Sequence, residues 1–308
     1  MASDKINDTA KNLTVSWGRV VPQDQAELDA LYGNCFPVEA NHSFFEDFPV
    51  WNPALSIDRR EQIVGRDQNG KILCSASLRI ANLPQSENQI AMLGAVVCDL
   101  DHRGQGLASE AIEKILESKL LESAQIRAVV LWGSEKSLYS RFGFDFGGTQ
   151  KRGLLGQLVF PEFLPDPTLD VQLGWDDEIF HLMRGRETGL AHLEADISWL
   201  KKHENVVWFR IIRDGKTSAY VGVNRGIDLM GVVHEWGGSE MDLSILLSAL
   251  KGENPNLQII FHPDHEKKYS FFKKLDPFEN DQLCMIKWYG EPDEKFLSSL
   301  WFFGLDSC

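Results

Sequence analysis

Residues 102–116 read HRGQGLASEAIEKIL: an arginine, two glycines one residue apart, then apolar positions at helical spacing. Glycine loses more backbone freedom on folding than any other residue, so two of them before a helix start call for a reason. The first turn of a helix carries unpaired backbone N–H groups and a partial positive charge. A backbone without Cβ atoms lets an anion approach those groups closely. Three glycine-loop sites share this logic. A P-loop requires GxxxxGK[ST], and no Lys-Ser or Lys-Thr pair follows here. A dinucleotide-binding GxGxxG/A turn is nearly met by Gly104, Gly106 and Ser109. That turn must follow its strand directly, however, and DLDHR intervenes, while the next strand, VVLWG, ends without an acidic residue for a ribose. The third is Arg-x-x-Gly-x-Ala at a strand–loop–helix junction, filled by Arg103, Gly106 and Ala108. The competing reading is a plain glycine-rich turn that only starts the helix.

Outward from this loop, the chain reads as a mixed α/β protein. Val15 to Val21 alternates as a strand, and DQAELDALYGNCF has helical spacing. EQIVGRDQNGKILCSASLRI is two strands around an Asn-Gly turn, NQIAMLGAVVCDL and IRAVVLWG are further strands, and EKSLYSRFGF is a short helix ending at Gly143. FLPDPTL, with prolines at 165 and 167, is the boundary candidate. Beyond it the pattern recurs in the same order: the hairpin in VVWFRIIRDGKTSAYVGV, the strand in LMGVVHEWGG, the helix in DLSILLSALKG, the strand in LQIIFHP and the echo HEKKYSFFKKL. Five matched features imply two copies of one fold. The closing FLSSLWFFGLDSC is too apolar to stand free in water and is expected to pack back onto the body.

Composition narrows the partners. With 308 residues, 43% hydrophobic and 25% charged, two soluble globular domains are expected, and residues 1–14 read as a disordered lead-in without a signal peptide's apolar core. No apolar run is long enough to cross a membrane. A net charge of −14 disfavours nucleic acid and anionic lipid and is compatible with a cationic acceptor such as an amine, although acidity that only keeps the protein soluble is the preferred reading. Five scattered cysteines without a CxxC pair point to a reducing, cytoplasmic setting and to no zinc site. His181, His192 and His203 recur every eleven residues, as on one helical face, but about 16 Å apart they cannot share a metal. They and the histidines of HPDH at 262–265 read as surface residues, and no metal is expected.

The combination of GAVVCDLDHRGQGLASEAI, a following buried strand and LYSRFGF resembles the GCN5-related N-acetyltransferase (GNAT) family over Val15 to about Gly156. The second half resembles the degenerate second acetyltransferase-like domain of tandem members. The resemblance implies an α/β fold of mixed sheets, the acyl-CoA N-acyltransferase (GNAT) fold in two tandem copies. Residues 15–160 would be a domain binding acetyl-CoA, and 168–308 a degenerate domain without the cofactor loop. In this family the strand before the loop splays and its backbone pairs with pantetheine, a role that falls on Val96, Val97 and Cys98. Backbone amides of Arg103, Gly104, Gln105, Gly106, Leu107 and Ala108 would hold the pyrophosphate. Leu100 stands where many relatives have proline.

Tyr139 aligns with the tyrosine that protonates the departing thiolate. A phenol of ordinary pKa about 10 suits that work, with a packing role as the alternative. Trp132 stands where relatives often have asparagine, and Ser134 is expected to take over a cofactor contact. No general base announces itself. Asp99 and His102 read as solvated, and Glu235 qualifies only if its strand faces the cleft. Trp17, Phe44, Phe45, Phe48 and Trp51 are candidate acceptor-pocket aromatics, with core as the competing reading, and 44–51 falls where the family builds its acceptor wall. The implied activity is acetyl transfer from acetyl-CoA to a primary amine, on a small molecule or a peptide, by direct attack. The alternative is a non-catalytic acyl-CoA-binding sensor on the same fold. One CoA per chain is expected, because the loop after the matching second-half strand is acidic.

Overall fold

The computed structural model describes residues 13–307 apart from 37–41, 85, 123, 134, 164–168 and 273–277. The first half runs β1 (Ser16–Arg19), α1 (Gln25–Cys35), α2 (Phe44–Asp47), β2 (Arg60–Arg66), β3 (Ile72–Asn82), β4 (Gln89–Cys98), α3 (Leu107–Leu116), α4 (Lys119–Glu122), β5 (Ile126–Leu131), α5 (Lys136–Ser140) and β6 (Asp145–Leu154). The second half repeats that plan as β7 (Asp170–Leu173), α6 (Asp177–Arg184), α7 (Ile197–Leu200), β8 (Val207–Arg213), β9 (Lys216–Val223), β10 (Val232–Gly238), α8 (Glu240–Glu253), β11 (Gln258–Phe261), α9 (His265–Lys268) and β12 (Glu279–Trp288), followed by α10 (Glu294–Ser299). The matching hairpins close on different turns, each with a glycine at positive φ. At β2–β3 the Asp67 carboxylate accepts the N–H groups of Asn69 and Lys71, both at 2.8 Å, and Gly70 takes φ +86°. At β8–β9, Asp214 and Gly215 both have positive φ, as a tight two-residue turn requires.

The twelve strands among the described residues form one sheet in the order β1-β2-β3-β4-β5-β12-β6-β11-β10-β9-β8-β7. The last strand of the chain therefore lies between β5 and β6, antiparallel to both, with Met285 opposite Leu131 and Cys284 opposite Gly147. In return β6 crosses to pair with β11, Ile260 opposite Arg152. Each half thus borrows the other's final strand. The prolines at 165 and 167 lie outside the described residues; the sheet is continuous from the strands before them to the strands after them.

One core follows the sheet across the junction and takes in Met92, Val130, Ile259, Ile286 and Trp301. Most of the apolar tail belongs to it: Leu300, Trp301, Phe302 and Phe303 are each 2% exposed or less, while Leu305 packs in the neighbouring cluster around Tyr32 and Phe180. Burying a side chain of that size contributes about 1.5–3 kcal/mol, which explains why the tail does not stay in water.

Two irregularities position the site. Parallel pairing of β4 with β5 ends at Met92 and Val130, so the backbone from Leu93 to Cys98 has a free edge on that side. On its other side β4 carries a bulge between Gly94 and Val97, with Ala95 at φ +49°. A bulge bends the strand and increases its twist, which opens the gap further. β10 repeats both features: pairing with β11 stops at Val233, and a register shift follows before Glu235.

Candidate active site

The glycine loop leaves β4 through Asp99, whose carboxylate accepts from the backbone N–H of Asp101, from Lys71 Nζ at 2.8 Å and from the His102 ring at 2.9 Å. Those donors, Lys71 foremost, hold Asp99 at a pKa of about 2. Asp99 was expected to be solvated; it is instead the peg that fixes the start of the loop. Gly104 and Gly106 take φ +78° and +86°, the left-handed region that side chains disfavour, and Gly106 is the residue that starts α3. A Cβ at either glycine would meet nothing within 4 Å. The glycines are therefore required by backbone conformation and leave open space over the first turn of α3, where an anion fits.

A cleft of about 700 Å³ runs from that turn along the free edge of β4. Val96, Val97 and Cys98 line it on one side, and Arg103, Gly104, Gly106, Leu107 and Ala108 at the loop. Gln105 is exposed on the loop and is not among the lining residues, and Ser134 lies outside the described residues. Cys35 and Arg141 also line the cleft and were not foreseen. The Arg103 side chain reaches the Cys35 thiol, and Arg141 supplies a second cation, so an acidic chain offers positive charge where a pyrophosphate would lie. The free strand edge, the open glycine turn and the two arginines together fit a CoA-type cofactor.

Tyr139 stands at the inner end. α5 places it there, and Gly133 leaves room for its ring, since a Cβ at 133 would fall 2.9 Å from Tyr139 Cε2. Burial, reinforced by the nearby Glu135 carboxylate, pushes its phenol up to about 12, so it stays protonated at neutral pH. A second cavity of about 350 Å³ begins where the cleft ends. Phe36, Val96, Trp132 and Tyr139 line both. Of the aromatics proposed for the acceptor, Phe44 and Phe48 line this cavity, stacked on each other at 4.7 Å between ring centroids. The others do not. Phe45 and Trp51 are core, and the Trp17 indole donates to Glu110 Oε1 at 2.6 Å beside α3. The far wall comes from the C-terminal tail, with Phe302 edge-on to Trp132 at 4.9 Å, together with Phe303, Gly304 and Ser307. Nothing in the residue pattern signals that contribution beyond the tail's apolarity.

The tail is held by buried charge. Glu235, fully buried, faces no cleft: one oxygen pairs with Arg186 and the other accepts the Leu305 N–H at 2.9 Å. Arg186 also bonds the Tyr220 hydroxyl and lies over the Phe303 ring, 3.7 Å from its centroid. Asp306 accepts the N–H groups of Leu190 and Phe303 and pairs with His192 at 3.0 Å. The histidines read as surface residues are a correction. His192, His203, His262 and His265 are all buried, and His181, His192 and His203 lie on separate segments and share no helix face. Among the described residues no three His, Cys, Asp or Glu side chains are grouped to hold a metal.

Among the described residues the second half has no counterpart of the loop. β10 passes into α8 through Gly238 and Ser239 alone, and Gly238 at φ +104° packs so tightly that a Cβ would fall 2.2 Å from the Ser218 carbonyl. The first turn of α8 holds its own carboxylate, Asp242, bonded to Arg213 and to the Ser218 hydroxyl. The free edge of β10 is occupied too: the His234 carbonyl accepts the N–H of Gly304 at 2.9 Å. The tail runs along the strand that matches the one left free in the first half.

Residues 20–147 match the acetyltransferase (GNAT) domain family. The fold extends over both halves. The chain superposes on a GCN5-related N-acetyltransferase from Kribbella flavida with a TM-score of 0.62 at 14% identity, covering 89% of this chain and 71% of that one. It superposes on a GCN5-related N-acetyltransferase from Anabaena variabilis at 0.61 and 13% identity, with coverage of 89% and 72%. Eis1 from Mycobacterium abscessus gives 0.58 at 11% identity, with coverage of 89% and 73%. No curated protein matches the chain in sequence. No helix among the described residues is long and apolar enough to cross a membrane.

Proposed function

From the premise that residues 20–147 form a domain of the GNAT acetyltransferase family, we propose that the protein is an acetyl-CoA-dependent N-acyltransferase acting on a primary amine. The observation that carries this reading is the meeting of two spaces at Tyr139: a cofactor-shaped cleft and an aromatic cavity that share four lining residues. A binding sensor needs only the first.

Residues 15–160 supply the cofactor side. The edge of β4 from Val96 to Cys98 takes the pantetheine amides as a further strand, and the Arg103–Ala108 backbone takes the pyrophosphate. Acetyl-CoA supplies an acyl carbon activated as a thioester. The cavity holds the neutral amine against that carbon. Backbone N–H groups near Val97 stabilise the oxyanion that forms as nitrogen adds. As the C–S bond breaks, the Tyr139 hydroxyl donates to sulfur. With its pKa at about 12, Tyr139 is a weaker acid than a free phenol, so its proton moves only as negative charge builds on the thiolate. Sulfur leaves as the thiol, the phenol regains a proton from water, and the nitrogen, positively charged after addition, releases one proton to water to give the neutral amide. Among the described residues Asp228 is the one carboxylate lining the cavity, and it is tied to Arg225, so no side chain is assigned as base.

Residues 168–308 act as the acceptor wall. Incubation with acetyl-CoA and a panel of primary amines, followed by a thiol reagent, tests the reading: amine-dependent thiol release supports it. CoA binding with no release for any amine would establish the sensor instead.

A further inference from the structure

The acceptor cavity contains two arginines with different duties. Both terminal nitrogens of Arg225 are engaged: Nη1 bonds the carbonyls of Gly304 and Ser307 and the Ser307 hydroxyl, Nη2 pairs with the Asp228 carboxylate, and the guanidinium lies over Phe48. It holds the tail. Arg152 is not so engaged. Its Nη1 donates to a neutral amide oxygen, Gln258 Oε1, at 2.8 Å. Its Nε is buried without a hydrogen-bond partner. The carboxylate nearest to it, on half-exposed Asp281, stands 4.0 Å away and itself accepts from Gln150 Nε2. A pair at that distance, screened by water, is weak. The Nε of Arg225 shares that lack of a partner; what sets Arg152 apart is that its guanidinium holds only a neutral amide and a distant carboxylate, with a third of the side chain exposed.

Arg152 and Gln150 alternate on β6 and therefore face the same side of the sheet, and both line the cavity. A planar guanidinium is matched best by a planar two-oxygen anion. The rest of the lining is aromatic, from Phe36, Phe44, Phe48, Trp132 and Phe302. At about 350 Å³ the space is at the small end for ligand pockets. We infer that the acceptor is a small aromatic amine that also bears a carboxylate, and that Arg152 is the residue that reads the carboxylate. The inference rests on the acyl-transfer reading for its catalytic arm only.

The test uses the full-length protein with L-phenylalanine and phenethylamine as acceptors, and 3-phenylpropionate, which has no amine, as a binding probe in calorimetry. A charge-assisted hydrogen bond corresponds to about 10- to 100-fold in affinity. The expected result is a KM for phenylalanine lower than that for phenethylamine by that factor. Arg152→Gln should collapse the ratio to near one and abolish 3-phenylpropionate binding, and Arg152→Lys should restore part of both. A wild-type preference for phenethylamine, or a ratio unchanged in Arg152→Gln, overturns the inference. Arg152-dependent binding of 3-phenylpropionate without acyl transfer to either amine would instead overturn the enzymatic reading and leave the carboxylate site standing. Failure of the wild-type protein to bind 3-phenylpropionate overturns the site.

Discussion

A single methyl group at Gly304 tests whether the tail is part of the working structure. The Gly304 N–H bonds the His234 carbonyl at 2.9 Å, and its own carbonyl accepts from Arg225. A Cβ at 304 would fall 2.2 Å from His234 Nδ1 and 2.4 Å from its Cγ. That ring cannot retreat: it is fully buried, and its Nε2 is bonded to the Asn224 carbonyl at 2.6 Å. Gly304→Ala must therefore move the tail away from β10. A lost buried backbone bond costs about 1–3 kcal/mol, and overpacking costs about 1–3 kcal/mol more. The expected destabilisation is about 2–6 kcal/mol by urea unfolding, a large share of the roughly 5–15 kcal/mol that holds a typical protein folded. Since Phe302 and Phe303 move with the backbone, acceptor KM should rise while CoA affinity holds. Gly252→Ala, in α8 where a Cβ meets nothing within 4 Å, is the control and should be neutral or stabilising. A Gly304→Ala loss below about 0.5 kcal/mol, within the range of ordinary surface substitutions, would refute the packing argument.

Tyr139→Phe keeps the ring and removes the proton donor, so turnover should fall about 10²–10⁴-fold with acetyl-CoA affinity retained in calorimetry; turnover within twofold of wild type would make the tyrosine structural. A titration with CoA should saturate at one per chain, because the tail covers the β10 edge and Asp242 fills the first turn of α8; a second equivalent would contradict that arrangement. Burial holds His234 and His265 at about 3, His203 well below its ordinary value and His262 below it, against the raised His192. The unfolded chain binds protons at these four sites below about pH 6.5 and the folded one does not, so their stabilisation is complete above that value and is lost as pH falls toward about 3. The urea midpoint should already drop between pH 7.5 and 5.5, and a flat profile there would count against buried neutral histidines.

How much of this was readable from sequence depended on whether the cause was local. Gly104 and Gly106 were legible because their positive φ is a property of those residues and of the helix start beside them. The repeat was legible because each half must make the same elements from neighbouring residues. The acceptor cavity was half legible. Phe44 and Phe48 sit in a short aromatic run, whereas Phe302 reaches Trp132 only through tertiary packing. Glu235 could be given only a condition, and the histidines misled, for the same reason. A polar side chain is buried when a partner is buried with it, and Arg186 and Asp306 are far away in the chain. The exchange of β6 and β12 left no trace, since a strand's hydrogen-bonding edges are backbone and carry no side-chain signature.

That exchange governs how the protein can be made. As the chain emerges from the ribosome, β1 to β5 are available early, yet the strand that covers β5 is β12, at residues 279–288. Until then β5 presents an open edge, the feature that invites pairing with another chain. β6 waits as well, with neither β11 nor β12 yet synthesised. The final closure joins segments far apart in sequence and is correspondingly slow. A nascent first half is therefore a template for its neighbours on the same messenger, and two chains completing each other's sheets would make a dimer with the same pairings as the monomer. Expression of residues 15–160 alone would yield an unfinished sheet rather than a small enzyme.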